Sequence, residues 1–324
     1  MKGEIIMKNF AMLGKWHVHA PGYAREINNM EDCRIVKVWD AIEEQGKAWA
    51  EELKCEFASI EDILADPSIE GVVICNATNE HTDLMIRACE AGKAVFTEKV
   101  LALTTEEAEK IKAAILKNNT RFAISFPHFS EEGTQFSVAT ALSGKLGKLN
   151  YVRVRKAHGG AIGNWLPAHF YDPIACGGGA MIDLGAHPMY LCCAIMQALP
   201  VEVQSTFTEM TGKGVEDNAV SLLRFADGAI GVAETSFVST AYPFTIEIGG
   251  TEGTLIQRYQ DVFYACAETD RALVKAENLP ERLPSPIVQW AKAEKPEDIP
   301  EIFRIDAAIR LTKVMEMAYA AYKK

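Results

Sequence analysis

Three groups of residues in the 324-residue chain combine side chains that move protons, stabilise charge or hold phosphate. The first is Thr97-Glu98-Lys99-Val100, directly after the apolar run Ala94-Val-Phe-Thr97. Ligands bind at the carboxyl edge of parallel sheets. A lysine there donates to a substrate hydroxyl and stabilises negative charge as an alcohol loses its proton. The second is Gly177-Gly-Gly-Ala-Met-Ile-Asp183-Leu-Gly-Ala-His187. Read as one helix from Ala180, it puts Asp183 and His187 four apart on one face. An imidazole is a natural base for an alcohol proton, and a carboxylate beside it orients it and favours its charged form. The third is the turn Leu13-Gly14-Lys15-Trp16-His17-Val18-His19, where a first strand runs into a helix. A helix N-terminus reached through close-approaching glycines binds pyrophosphate. Only Gly14 remains of three glycines, with Trp16 and His19 at the spacing of the other two. Asp40, at the end of the next strand, is placed to accept ribose hydroxyls and favours NAD over NADP, which stays the alternative.

Each group also has a plain structural reading. A Glu–Lys pair is commonly a solvated surface pair, an i, i+4 Asp/His pair is commonly structural, and Asp40 could simply cap a helix. His17 and His19 would face one side of an extended segment. No neighbouring carboxylate or cysteine in sequence completes a ligand set, so no metal is expected. His158, His169, Trp165 and Tyr171 fall in a loop able to present aromatic faces to sugar C–H groups, or to pack on itself.

The elements that must position these residues change character along the chain. Up to residue 124, short apolar strands alternate with amphipathic helices: Phe10–Leu13, Arg34–Trp39, Gly71–Cys75, Ala94–Thr97 and Arg121–Ile124 as strands, with helices between them, including His81–Ala91 and 104–117. That alternation implies crossover units and a parallel sheet. Beyond residue 125, strands at Tyr151–Arg155, Val201–Phe207, Ala219–Phe225, Ile230–Phe237 and Phe244–Ile248 follow one another through short turns such as Ala226-Asp-Gly228 and Gly249-Gly250. Such connections favour a mainly antiparallel sheet. The reading is an α/β chain of two domains, residues 1–124 binding a dinucleotide and residues 125–324 forming an α+β substrate and oligomerisation domain. Residues 276–300, rich in Glu, Pro and Lys, read as an exposed loop, and Ile302–Tyr322 as a final helix able to pack back on the first domain.

These residues carry a family likeness over nearly the whole chain. The sequence resembles the glucose–fructose oxidoreductase / inositol dehydrogenase / rhizopine-catabolism (Gfo/Idh/MocA) family. Glu98-Lys99 is similar to that family's Glu-Lys-Pro motif, and Gly177–His187 to its Gly-Gly-Gly-x-x-x-Asp-x-Gly-x-His motif. Ala91-Gly-Lys-Ala-Val95, Cys75-Asn-Ala-Thr-Asn-Glu-His81, Glu216-Asp-Asn218, Phe225-Ala-Asp-Gly228 and Gly249-Gly-Thr-Glu-Gly-Thr254 also match family segments in order. The resemblance implies catalysis by Lys99, Asp183 and His187. It implies a cofactor site of Gly14, Lys15, Trp16, His17, Asp40, Asn76, Ala77, Thr78, His81 and Glu98, and substrate contacts from His128, Trp165, His169 and Tyr171. The chain departs from the pattern at Val100 (the family's proline, often cis), at Asn76-Ala77-Thr78 (Thr, Pro, Asn) and at Tyr190 (often an acid). His128 stands where many relatives have arginine before Phe129. Matching Val18-His-Ala20 to the family's Val-His-Ala makes the phosphate loop about three residues short.

The implied activity is hydride transfer between a nicotinamide and a sugar, polyol or inositol-like substrate. Two rivals are a non-redox binding or regulatory protein on the same fold and an NAD-using glycoside-cleaving enzyme. The formal charge of −11 argues against nucleic-acid and anionic-membrane partners. The N-terminal stretch lacks a signal-peptide core, and no run of about 18 apolar residues occurs. Eight scattered cysteines without metal-like spacing fit reduced thiols of a cytoplasmic protein. The resemblance further implies a homodimer or homotetramer built through the C-terminal sheet.

Overall fold

The computed structural model describes residues 7–242 and 244–322. The chain divides into two compact units. One runs to Phe126 and takes in Pro284–Ile309; the other is Pro127–Leu283 and resumes at Arg310.

In the first unit the strands β1 (Lys8–Leu13), β2 (Cys33–Trp39), β3 (Glu56–Phe57), β4 (Ile69–Ile74), β5 (Ala94–Thr97) and β6 (Phe122–Ile124) form one sheet in the order β3-β2-β1-β4-β5-β6. Every pairing is parallel. The helices α1 (Ala20–Asn28), α2 (Glu43–Leu53), α3 (Ile60–Ala65), α4 (His81–Glu90) and α5 (Thr105–Lys117) alternate with the strands. The central strands are apolar because both their faces are covered, and β5 is buried throughout. The strand order reverses between β1 and β4, so the ends of these strands open the crevice that doubly wound sheets use for ligands.

Residues 276–300 are not the exposed loop their composition suggests. They contain helix α10 (Pro286–Lys292), which packs inside the first unit. Trp290 is fully buried, its ring 5.0 Å from Phe10 and 5.7 Å from Phe96, and its Nε1 donates to the Arg121 carbonyl at 3.3 Å. The charged residues that dominate the composition lie on either side of one short apolar stripe, Ile287, Trp290 and Ala291.

The second unit begins with α6 (Glu132–Leu142), whose buried positions are Gly133, Thr134, Ser137, Thr140 and Ala141. These small and polar residues give no apolar period, which is why the pattern conceals the helix. Its sheet comprises β7 (Leu149–Ala157), β8 (Glu202–Thr208), β9 (Asn218–Arg224), β10 (Ile230–Ser236), β11 (Thr245–Gly250), β12 (Thr254–Arg258), β13 (Asp261–Ala265) and β14 (Val274–Lys275). The order is β14-β13-β12-β11-β7-β10-β9-β8, antiparallel except for the β7–β10 pair. Gly249 and Gly250 belong to β11 rather than to a turn, and the chain reverses over the three residues that follow. The β12–β13 hairpin turns through Tyr259 at φ +51°, without a glycine to announce it.

Between β7 and β8 lie α7 (Pro173–Cys176), α8 (Ala180–Asp183) and α9 (Ala186–Met196). The final helix α11 (Ile305–Tyr322) begins in the first unit and ends in the second. Among the described residues no single helix is long and apolar enough to cross a membrane.

Truncating the buried indole tests the placement of α10. Trp290→Ala should destabilise the protein by about 3–5 kcal/mol, read as a lowered urea midpoint. A change below about 0.5 kcal/mol, typical of surface substitutions, would contradict the packing.

Candidate functional site

In the first unit the expected cofactor residues converge on the ends of β1, β2, β4 and β5. Gly14 leaves β1 with φ +83°, and a Cβ there would lie 2.7 Å from Asn76 Oδ1. Glycine is therefore required both for the left-handed conformation and for the close approach. The next amide, Lys15 N, donates to Asp40 Oδ2 at 2.8 Å, and Asp40 Oδ1 accepts from Ile42 N at 2.8 Å. Asp40 thus pins the loop to the end of β2 and is buried there. Lys15 extends to Glu52 (2.8 Å), 5.4 Å above the Trp49 ring.

Asn76 Nδ2 donates to Glu80 at 2.9 Å, while its buried Oδ1 has no hydrogen-bond partner among the described residues. A buried acceptor left unmade is costly, so this oxygen is suited to a ligand donor. Ala77 is buried and Thr78 half-buried in the same loop. His81, also buried, holds that loop to the lysine turn. One ring nitrogen lies 3.1 and 3.2 Å from the Val100 and Leu101 carbonyls, the other 3.3 Å from the Asn76 carbonyl. Burial lowers its pKa, which favours the neutral ring.

Glu98 and Lys99 follow β5 and are both buried. The Lys99–Val100 peptide is cis, with valine in the place of the family's proline. Glu98 Oε1 accepts from the Tyr23 hydroxyl, which is also 2.7 Å from Ser125 Oγ. Oε2 accepts from Lys99 N at 3.0 Å. His19 Nδ1 lies 2.8 Å and His17 Nδ1 3.6 Å from Oε1. Burial would raise the Glu98 pKa, but His17, His19 and Lys99 outweigh it and hold the carboxyl well below the usual range. In sequence the two histidines lack a third ligand-type group. The fold supplies one from 79 residues beyond His19.

The second unit builds the other group. The Asp183–His187 segment is not one helix: α8 ends at Asp183, α9 starts at Ala186, and a 54° bend separates the α7–α8 segment from α9. The two side chains therefore do not share a helical face, and spacing alone could not reveal the break at Leu184-Gly185. Three main-chain amides of the glycine segment are held by side chains from distant positions. Glu216 Oε1 accepts from Gly179 N (2.9 Å), Met181 N (3.0 Å) and the Tyr319 hydroxyl (2.5 Å), and that hydroxyl oxygen accepts from Ile182 N (3.0 Å). A Cβ on Gly178 would collide with Tyr319, and one on Gly179 with the Glu216 carbonyl. Burial raises the Glu216 pKa despite the three groups that donate to it.

His187 is buried on the first turn of α9, with Nδ1 3.1 Å from the Tyr190 hydroxyl. The His128 ring stands edge-on to it at 4.8 Å and stacks on Phe244 at 4.3 Å. His128 Nδ1 is 3.0 Å from Glu131. Burial pushes the Glu131 carboxyl up, yet the bond from His128 and the charges of His128, Lys156 and Arg282 hold it below the usual range.

Trp165 is exposed and 4.7 Å from His158, which stacks on Phe237. His169 adjoins Phe170. Tyr171 lies edge-on to Phe237 with Lys213 4.5 Å above its ring, and its buried hydroxyl has no hydrogen-bond partner among the described residues. Tyr23, Ser125, Glu216 and Tyr319 were not legible as site residues, because each acts through contacts remote in sequence.

The lowered Glu131 carboxyl has a pH consequence. Its contribution to stability is present above about pH 4.3, the ordinary glutamate value, and is lost as pH falls through the lower folded value. Urea midpoints of the wild type should therefore fall more steeply below pH 4 than those of Glu131→Gln. Parallel pH profiles would contradict the pairing with His128.

Residues 8–126 match the family described as an oxidoreductase family with an NAD-binding Rossmann fold, and residues 139–256 match the GFO/IDH/MocA C-terminal domain. The chain is 27% identical over 263 residues to an inositol 2-dehydrogenase of Rhizobium meliloti (strain 1021), covering 78% of this chain and 76% of the relative. It is 26% identical over 245 residues to a myo-inositol 2-dehydrogenase of Thermotoga maritima, covering 72% and 70%. A solved structure of levoglucosan dehydrogenase in complex with NADH and levoglucosan has the same fold, with TM-score 0.83 over 98% of this chain and 97% of that one at 19% identity.

Proposed function

The chain belongs to the Gfo/Idh/MocA family of NAD-binding oxidoreductases, and from that membership we propose that it oxidises a hydroxyl of an inositol, sugar or other polyol, or reduces the corresponding carbonyl. The observation that carries this reading is a pair of buried titratable side chains at the motif positions, Lys99 after β5 and His187 on the first turn of α9. Burying an amine and an imidazole is costly, and such groups concentrate where proton transfer needs them.

The residues around the phosphate turn fit a dinucleotide. Gly14 admits close approach, the free Asn76 Oδ1 awaits a donor, and Asp40 keeps lone pairs for ribose hydroxyls while fixing the loop. Lys15, Trp16, His17, Ala77, Thr78, His81 and Glu98 complete this proposed site. When bound, the nicotinamide supplies the hydride acceptor or donor.

The chain's own side chains handle the proton and the charge. His187 takes the hydroxyl proton, Lys99 stabilises the developing alkoxide, and Asp183 supports the protonated base electrostatically. The Tyr190 hydroxyl orients the imidazole through Nδ1. His128 contacts substrate hydroxyls beside His187, and Trp165, His169 and Tyr171 contribute aromatic faces and hydrogen bonds. The partnerless Tyr171 hydroxyl supports that assignment. The same reading makes the protein a homodimer or homotetramer through the second sheet, where Tyr151, Arg153 and Arg155 of β7 remain partly exposed. It also places the protein in the cytoplasm, in keeping with eight free cysteines.

Lys99→Met should lower kcat on the order of 10²–10³-fold, and His187→Ala on the order of 10²–10⁴-fold. Both should keep the circular dichroism spectrum and the NAD affinity of the wild type. Activity within a few-fold of wild type in either variant, assayed across inositols and aldoses, would overturn the assignment.

A further inference from the structure

We propose that His17, His19 and Glu98 form a binding site for a divalent transition-metal ion of the zinc class. One ligand atom from each residue lies within 4.8 Å of the others. His19 Nδ1 and His17 Nδ1 stand 2.8 and 3.6 Å from Glu98 Oε1. Two ligand atoms at tetrahedral positions around zinc are about 3.3 Å apart, so small side-chain adjustments bring this set to bonding geometry. Two imidazoles and one carboxylate are also the donor set of zinc and related ions that keep open coordination positions.

The surroundings suit ligands rather than a surface coincidence. The Glu98 side chain is 1% exposed and His17 5%, whereas His19 is 46% exposed. The ion would be held from the protein side and left open toward solvent for water or an anionic oxygen. Glu98 is oriented by the Tyr23 hydroxyl on one oxygen and by Lys99 N on the other. Hydrogen-bonded carboxylates of this kind are what outer-shell residues provide in metal sites. The His19 amide donates to His17 Nδ1 at 3.2 Å, so that bond must open for this nitrogen to coordinate the ion. The turn's shape brings the two histidines together: His17 N is anchored on the Cys75 carbonyl (3.0 Å), and the side chain between them, Val18, points outward and is exposed. A second effect opposes the site. His19 is the N-cap of α1, and a helix N-terminus disfavours a cation, but only weakly beside three coordinate bonds to protein. His17 and Glu98 also belong to the proposed cofactor site, so binding of the ion is read without nicotinamide and its outcome does not depend on that reading.

The test uses the full-length protein, stripped with a chelator and titrated with Co²⁺ and with Zn²⁺ without nicotinamide or substrate. One equivalent should bind with a Kd below about 10 μM, and bound Co²⁺ should show visible ligand-field bands of a low-coordinate site. His19→Ala and Glu98→Gln should each weaken binding on the order of 100-fold or more, and Tyr23→Phe roughly 10-fold. Binding unchanged in His19→Ala would assign the ion to another place. The absence of stoichiometric binding would mean that the imidazoles serve only as charge partners of Glu98. Because His19 is exposed, its variant decides the matter even where Glu98→Gln fails to fold.

Discussion

A carboxylate buried at the end of a parallel strand imposes the first constraint on this protein. Removing an ionised group from water costs several kcal/mol unless its lone pairs and charge are met. For Glu98 they are met by the Tyr23 hydroxyl, the Lys99 amide and two imidazoles from the turn after β1. That requirement ties three separate pieces of chain to one point: the phosphate turn, the first helix and the lysine turn. It also explains why a turn deprived of two glycines keeps a definite shape, since His17 and His19 are fixed through Glu98 and the Cys75 carbonyl instead.

The second unit solves a related problem with a second buried acid. A run of three glycines is conformationally free, and ordering it costs more backbone entropy than ordering any other residues. Glu216 and Tyr319 fix three main-chain amides at and just after that run, and the same two residues occupy the space that any Cβ on Gly178 or Gly179 would need. His187 then follows on a new helix after the bend, with Tyr190 and His128 beside its ring and Phe244 stacked on His128. The neighbouring Asp217 of the same segment is equally committed, accepting from Met210 N at 2.9 Å and Thr211 N at 2.8 Å.

Much of the fold was legible because its signals are local. The parallel sheet shows as apolar runs alternating with helical stretches punctuated by Gly92 at positive φ, and Gly228, also at positive φ, marks the β9–β10 turn of the second sheet. What stayed hidden depended on contacts distant in sequence or on burial of unusual residues. Helix α6 buries threonine and serine, and α10 hides three apolar positions in a charged, proline-rich stretch. For the proposed site, motif order singled out Gly14, Asp40, Lys99 and His187. It could not show that helix spacing fails between Asp183 and His187, or that Glu98 reaches His19. Spacing arguments assume continuous elements, and Gly185 interrupts one.

The central claim is that hydride passes directly from a polyol carbon to the nicotinamide. Inositols and aldoses carrying deuterium on the carbinol carbons can be incubated with NAD and the enzyme, and the reduced cofactor analysed by mass spectrometry. The account predicts reduced nicotinamide carrying one deuterium from at least one of these substrates, with no label acquired from deuterated solvent. Reduced cofactor formed without substrate deuterium, or no reduction across the whole panel with either NAD or NADP, would contradict it.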